Sequence, residues 1–173
     1  PRPDTTKLLH GEPSKASFTR AQVIDSYGPA DWFPGAHPPM PAAIAPGRPT
    51  AAPPIMACAL CHLPNGNGRP ENANLTGLTY DYILQQLQDF RAGARRTSDP
   101  RKTNTGLMSG FARSMTDEEM KAAATYFASL PAKPSSKVVE SRMVPRTRSS
   151  GGLFIAIKGD PSTEPLGNRI IEG

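Results

Sequence analysis

The sequence predicts a mainly α-helical domain between a proline-rich N-terminal arm and a C-terminal extension with short β strands. The uneven distribution of proline and two helical patterns in the middle of the chain predict this arrangement. Of the 20 prolines among 173 residues, 12 lie in residues 1–54, four in 55–133 and four in 134–173. Because proline lacks the N–H that helices and ladders need, we expect an extended arm (1–54), a helical domain (55–133) and an extension (134–173).

Apolar side chains in the arm indicate that it packs against something. Val23, Ile24 and Tyr27 precede the aromatic pair Trp32 and Phe33. Leaving a large apolar side chain in water costs about 1.5–3 kcal/mol. We therefore expect the arm to wrap the helical domain or a partner subunit, with these residues as anchors, rather than to extend freely into solvent.

Two helices are predicted in the middle of the chain. Thr79 is a typical N-cap, so a first helix is expected over 80–92, ended by Gly93. Its apolar positions fall on one helical face, namely Ile83, Leu84, Leu87 and Phe90. A second helix is expected from Thr116, where Glu119 completes a capping box. Its buried stripe is expected to comprise Met120, Ala123, Ala124, Phe127 and Leu130, just before Pro131.

Shorter elements are predicted around these helices. A short helix is expected over 55–62, and residues 105–110, between the two longer helices, are expected to form a loop. In the extension, residues 138–139 and 153–157 have the composition of short strands, separated by a loop that contains Gly151 and Gly152. Such a tail is expected to form a hairpin against the helical domain.

Charge and hydropathy exclude two function classes. The formal net charge of +5 is mild; it suits an acidic partner, and the sequence has no basic run of the kind that indicates nucleic-acid binding. It also lacks a continuous apolar segment of about 18 residues, the length that a transmembrane helix requires. We therefore expect no nucleic-acid partner and no transmembrane segment in this sequence.

The motif with the clearest chemistry is the pentapeptide Cys58-Ala59-Leu60-Cys61-His62. This is the C-x-x-C-H pattern of c-type haem attachment. Two thiols add to the two vinyl groups of haem and become thioethers. The two residues between the cysteines, in a helical turn, set the two sulfurs at the separation of those vinyl groups. The adjacent His62 then reaches the iron. We therefore predict one covalently bound haem c, with Cys58, Cys61 and His62 as its residues.

Three other interpretations of the motif were considered. A zinc site would need a second Cys or His pair, and the remaining imidazoles, His10 and His37, both lie in the arm. A thioredoxin-like redox pair would need a βαβ context, which the sequence lacks. A chance match is the third alternative. The context of the motif favours haem attachment over all three.

The iron needs a sixth ligand or remains open to gas or substrate. We favour Met108, which lies 46 residues beyond His62 in a segment whose glycines would let the backbone approach a flat cofactor. Met115 and Met120 are expected to pack in the core instead. The other candidates are Met40, Met56, Met143, His10 and His37.

Residues 55–132 resemble the class I bacterial cytochromes c of the small His/Met type. The resemblance is carried by residues 58–68, 75–78 and 82–95, by Met108 and Ala112, and by the segments 115–119 and 124–130. It implies a three-helix haem fold, Met108 as the distal ligand, a periplasmic location with a removed signal peptide, and electron transfer. The arm and the strand-bearing extension go beyond the minimal family pattern.

The expected function is therefore single-electron transfer between redox proteins, without catalysis by the chain itself. The long extensions favour a subunit or docked partner of a periplasmic dehydrogenase or respiratory complex over a free soluble shuttle. Two further alternatives are a haem enzyme or gas sensor whose distal ligand is displaced, and a protein in which haem serves only the fold.

Overall fold

The computed structural model of the chain describes residues 4–134 and 137–171. The remaining residues of the predicted arm and extension (1–3, 135–136 and 172–173) lie outside the described residues. Within the described ranges the elements are, in chain order, β1 Leu8–His10, β2 Ser17–Thr19, α1 Arg20–Val23, α2 Cys58–His62, α3 Tyr80–Ala92, α4 Asn104–Ser114, α5 Asp117–Ala128, β3 Met143–Pro145, β4 Thr147–Ser150, β5 Leu153–Ala156 and β6 Thr163–Pro165.

The predicted class is confirmed: the middle of the chain is helical, and short strands follow in the extension. None of the helices in residues 4–134 and 137–171 has the length and apolar character needed to cross a membrane. The division into 1–54, 55–133 and 134–173 as separate units stays a prediction.

Helix α3 has the predicted bounds, and its ends are fixed by the predicted caps. The Thr79 side chain accepts a hydrogen bond from the Tyr82 backbone N–H, and Gly93 ends the helix in the left-handed conformation at φ 72°. At α5, Thr116 and Glu119 form the predicted reciprocal capping box. The predicted stripe is buried along its whole length: Met120, Ala123, Ala124 and Phe127 in α5, and Leu130 two residues past the end of that helix.

The prediction of a loop over 105–110 is wrong, because these residues form the first half of α4. Glycine inside a helix costs roughly 0.5–1 kcal/mol relative to alanine, but tertiary packing overrides this propensity. Ala112 is completely buried, and Met108 and Phe111 pack against the core. Gly106 lies on the exposed side of α4, with open space where a Cβ would be. Thus α4 is held by its core-facing side.

The short helix predicted over residues 55–62 is shorter in the structure. Helix α2 begins at Cys58, whereas Ile55 forms an antiparallel bridge with Arg48 of the arm. The backbone N–H of Ile55 donates to the Arg48 carbonyl at 3.0 Å, and the N–H of Arg48 donates to the Ile55 carbonyl at 2.7 Å. Residue 55, where the helix was predicted to begin, therefore pairs with the arm instead of being helical.

The extension contains the predicted hairpin, but with a different first strand. Strand β5 pairs with β4 in antiparallel register, with Ser150 opposite Leu153 across the turn at residues 151–152. Residues 138–139, predicted as a strand, are not in one, and Val138 is 88% exposed. Strand propensity depends on cross-strand and burial partners, which these valines lack. A second ribbon joins β3 to β6.

The arm packs on the helical domain through a residue that the sequence analysis did not single out. Ile44 is completely buried and belongs to the same core as α3, α4 and α5. Its carbonyl accepts from the Ala59 N–H of α2 at 3.1 Å. Two of the predicted anchors, Ile24 and Phe33, are largely exposed, and Trp32 is half-buried, with the edge of its ring against Phe18. Ile44 is therefore an anchor that was not expected, while Val23, Tyr27 and Trp32 of the predicted set are partly buried.

Candidate haem site

Helix α2 presents the C-x-x-C-H motif. Cys58 and Cys61 are three residues apart on this helix, so both thiols lie on the same helical side. Both cysteines are free and partly buried. The arm also reaches this helix, because Cys58 Sγ donates a hydrogen bond to the Ala43 carbonyl at 3.2 Å. The local structure therefore presents the two thiols side by side, as thioether attachment requires.

An apolar cleft opens beside the motif. The space inside it is about 770 Å³, a figure that includes the part open to solvent. All four predicted site residues line it: Cys58, Cys61, His62 and Met108. Its apolar walls come from α3, α4 and α5 and include Ile83, Leu87, Leu107, Phe111 and Phe127. The cleft thus brings together residues that are 50 positions apart.

His62 is oriented as an iron ligand would be. Its Nδ1 lies 3.0 Å from the Ala73 carbonyl. Because a carbonyl only accepts, Nδ1 carries the proton and Nε2 is the nitrogen suited to a metal. Burial lowers the pKa of His62, so the ring is neutral at pH 7. The Phe127 ring lies edge-on to it, with centroids 5.9 Å apart.

The environment of the cysteines does not suit redox catalysis or zinc. Burial raises the pKa of Cys58 to about 12, and burial also raises the pKa of Cys61. Reactive dithiols show the opposite shift, because the thiolate is the nucleophile. No cluster of three or more His, Cys, Asp or Glu side chains that could hold a metal occurs in the described part of the chain. The alternative interpretations of the motif therefore gain no support.

Three methionines line the cleft: Met56, Met108 and Met115. Met115 is 7% exposed and packs in the core, as the sequence predicted. Met120 is likewise a core residue, and Met40 packs against the core from the arm. Met143 lies in β3 and His10 in β1. The assignment of Met108 as the distal ligand stays a prediction.

His37 has other partners. Its Nε2 lies 3.1 Å from Asp31 Oδ2, and its Nδ1 lies 3.2 Å from the Tyr126 hydroxyl and 2.8 Å from the Pro38 carbonyl. The ring therefore joins the arm to α5. These contacts account for both nitrogens, as expected for a packed histidine rather than a ligand.

Sequence reasoning missed two polar residues of the cleft, Asn72 and Asn104. Asn104 begins α4, and its Nδ2 donates to the Glu71 carbonyl at 2.9 Å. The spacing offered a signal, because Asn104 lies four residues before Met108 and side chains at i and i+4 share a helical face. That signal could not be used while the segment was taken for a loop.

The residues of this site fit a haem c. Two thiols, an imidazole with a defined metal-binding nitrogen and a thioether surround an apolar space, and nitrogen and sulfur ligands of this kind are the ones that bind haem iron. When bound, the haem would be attached through Cys58 and Cys61 and ligated by His62.

Comparisons with known proteins show which proteins this chain is similar to. A family model described as Cytochrome c matches residues 55–131. The cytochrome c-554(548) of Halomonas halodenitrificans is 32% identical over 76 residues, which are 43% of this chain and 86% of that protein. The cytochrome c4 of Azotobacter vinelandii is 35% identical over 79 residues, 43% of this chain and 34% of that protein.

A longer match involves a protein that is named as the electron acceptor of a dehydrogenase. The "Thiosulfate dehydrogenase electron acceptor" of Thiomonas intermedia is 35% identical over 119 residues, which are 67% of this chain and 49% of that protein. This chain therefore spans about half the length of that relative. A solved thiosulfate dehydrogenase (TsdBA) from Marichromatium purpuratum is similar over 49% of this chain and 17% of that one, at 30% identity and a TM-score of 0.41.

Proposed function

The chain belongs to the cytochrome c family, and from this premise we propose that it carries single electrons through one covalently bound haem. The observation that carries the proposal is the apolar cleft in which Cys58, Cys61, His62 and Met108 meet. With His62 and Met108 as axial ligands, this chain alone would supply both protein ligands of a six-coordinate haem iron.

Each residue of the site has a separate task. The haem supplies, when bound, one iron that changes between the ferric and ferrous states. Cys58 and Cys61 would hold the porphyrin, so the cofactor stays in place whatever the oxidation state. The bond from His62 Nδ1 to the Ala73 carbonyl fixes the orientation of the imidazole and makes it a stronger donor. Met108, as a thioether ligand, would favour the ferrous state and raise the reduction potential.

The walls of the cleft would limit access of solvent to a bound haem. Ile83 and Leu87 of α3 and Phe127 of α5 are buried side chains that line it. Exclusion of water lowers the local dielectric constant, which is one means by which a protein sets the potential of a haem. Electron transfer makes and breaks no bond in a substrate, so the chain itself is not proposed to be an enzyme.

The proposed partner is a periplasmic dehydrogenase that passes electrons to this chain, which in turn passes them to another redox protein. The match to the acceptor from Thiomonas supports this, because it covers 67% of the chain, whereas the family model stops at residues 55–131. Similarity to the acceptor thus extends beyond the haem domain. Oxidation of thiosulfate is the activity that we propose for the dehydrogenase.

Co-purification tests the partner directly. A tagged holoprotein is isolated from periplasmic extract of its own organism, its partners are identified by mass spectrometry, and reduction of its haem is followed optically. We expect a dehydrogenase to co-purify and thiosulfate to reduce the haem only in its presence. A haem reduced equally by unrelated donors, with no protein bound, would favour a free shuttle. Denaturing mass spectrometry of the same sample should give the mass of the chain plus one haem.

A further inference from the structure

The turn of the C-terminal hairpin lies directly against the first residue of α4. Gly152 has φ +85°, and a Cβ added there would lie 2.7 Å from Asn104 Nδ2 and 2.8 Å from Asn104 Cγ. Real Cβ atoms essentially never come this close, so a side chain at position 152 would have to displace the Asn104 amide. Its neighbour Gly151 also has a left-handed backbone, with φ +59°, but an added Cβ there would meet nothing within 4 Å.

Asn104 connects both sides of the cleft. Its Nδ2 donates to the Glu71 carbonyl at 2.9 Å and approaches Asn72 Oδ1 at 3.3 Å. The next residue along that segment, Ala73, accepts the hydrogen bond from His62. On α4, Met108 lies four residues after Asn104, on the same helical side. One amide therefore joins the segment that orients His62 to the helix that carries Met108.

Further contacts hold the hairpin in this position. Ser149 Oγ donates to the Arg101 carbonyl at 3.1 Å, three residues before α4 begins. The Phe154 ring is buried, and the Arg101 and Arg169 guanidinium groups lie 5.0 Å and 5.5 Å from its centroid. The approach of Gly152 to Asn104 is thus backed by a packed part of the extension.

We propose that Asn104 is a positioning residue for the axial ligand Met108, and that the hairpin turn at Gly152 holds Asn104 in place. The inference rests on the proposed function, in which Met108 ligates the haem iron. It assigns a role to the extension, which lies beyond the residues that match the family: the hairpin stabilises the methionine-ligated form of the haem. Without the contact between Gly152 and Asn104, the first turn of α4 would be less well fixed, and Met108 would be displaced from the iron more easily.

Displacement of the methionine by added imidazole measures this directly. The ferric holoproteins of the wild type, Gly152→Ala and Gly151→Ala are titrated with imidazole. The signal is the loss of the Met–iron band, the weak far-red absorption band that marks coordination of methionine to ferric haem iron. Displacing the Asn104 amide would break its hydrogen bond to the Glu71 carbonyl. One net hydrogen bond corresponds to roughly a two- to tenfold change in an equilibrium constant, so Gly152→Ala should bind imidazole more tightly than the wild type by about that factor. Gly151→Ala introduces a similar backbone strain without the contact, so its affinity should equal that of the wild type.

Asn104→Ala provides a second variant in case Gly152→Ala does not fold. It should shift imidazole affinity in the same direction as Gly152→Ala. Equal shifts in Gly151→Ala and Gly152→Ala would attribute the effect to backbone strain and overturn the inference. Unchanged affinity in both Gly152→Ala and Asn104→Ala would overturn it as well.

The test separates this inference from the proposed function. A wild type with attached haem but no Met–iron band would refute Met108 as ligand, and with it the positioning role. Hydrogen exchange then still reports on the hairpin itself: amides of residues 107–110 should exchange faster in Gly152→Ala than in Gly151→Ala. Equal exchange in the two variants would show that the turn does not hold α4.

Discussion

Ile44 should contribute to the stability of the helical domain although it lies in the arm. Its side chain is 0% exposed and shares a core with α3, α4 and α5. Replacing a buried isoleucine by alanine removes transfer energy and leaves a cavity, with a cost of about 2–5 kcal/mol. We expect Ile44→Ala to lower the free energy of unfolding by about 2–4 kcal/mol, in the lower part of that range because the neighbouring arm can relax around the cavity.

Ile24→Ala is the matched control, because it makes the same chemical change in the same arm. Ile24 is 54% exposed, and substitutions at such surface positions usually change stability by less than about 0.5 kcal/mol. The two variants therefore differ in burial and not in the atoms removed.

Guanidinium unfolding of the holoprotein, followed by two signals, measures the effect. Circular dichroism reports on the helices, and the fluorescence of Trp32, the one tryptophan of the chain, reports on the arm. We expect both signals to change in one transition, shifted to lower denaturant in Ile44→Ala. Equal midpoints for Ile44→Ala and Ile24→Ala, or an arm that unfolds before the helices in the wild type, would refute the packing described here.

Two other predictions concern the attachments of the arm and of the extension. Arg48 donates to both carboxylate oxygens of Glu119, which lowers the pKa of that carboxyl. The stabilisation is present above the unfolded pKa and is lost as the pH falls through the folded one. Urea titrations should therefore show that Glu119→Gln destabilises the protein at pH 7 and by progressively less as the pH is lowered below 4.5, while Glu118→Gln changes little across the same range. Phe154→Ala should lower the stability of the extension by about 3–5 kcal/mol and speed tryptic cleavage at Arg148, with the haem still covalently attached; unchanged cleavage would contradict the packing of the hairpin.

Features that depend on neighbouring residues could be predicted from the sequence. The caps of α3 and α5 are hydrogen bonds between Thr79 or Thr116 and the backbone three residues away, and the haem motif is complete within the five residues of α2. These interactions form within a short segment, so residue type and spacing are enough to identify them.

Features that depend on distant contacts could not be predicted. Helix α4 contains Gly106 and Gly110, whose low helix propensity is outweighed by packing of the opposite side. The burial of Ile44 and the contact of Gly152 with Asn104 join segments that are far apart in sequence. Val138 shows the reverse case: its β propensity is high, but it pairs with no strand among the residues that the structure describes.

The optical spectrum of ferric Met108→Ala tests the central claim most directly, with Met115→Ala as its control. Both methionines line the cleft, and only Met108 is proposed to bind iron. We predict that Met108→Ala retains its covalent haem but loses the far-red Met–iron band and has a lower reduction potential, whereas Met115→Ala keeps the band at reduced stability. A band that survives in Met108→Ala, or that disappears in Met115→Ala instead, would contradict the account.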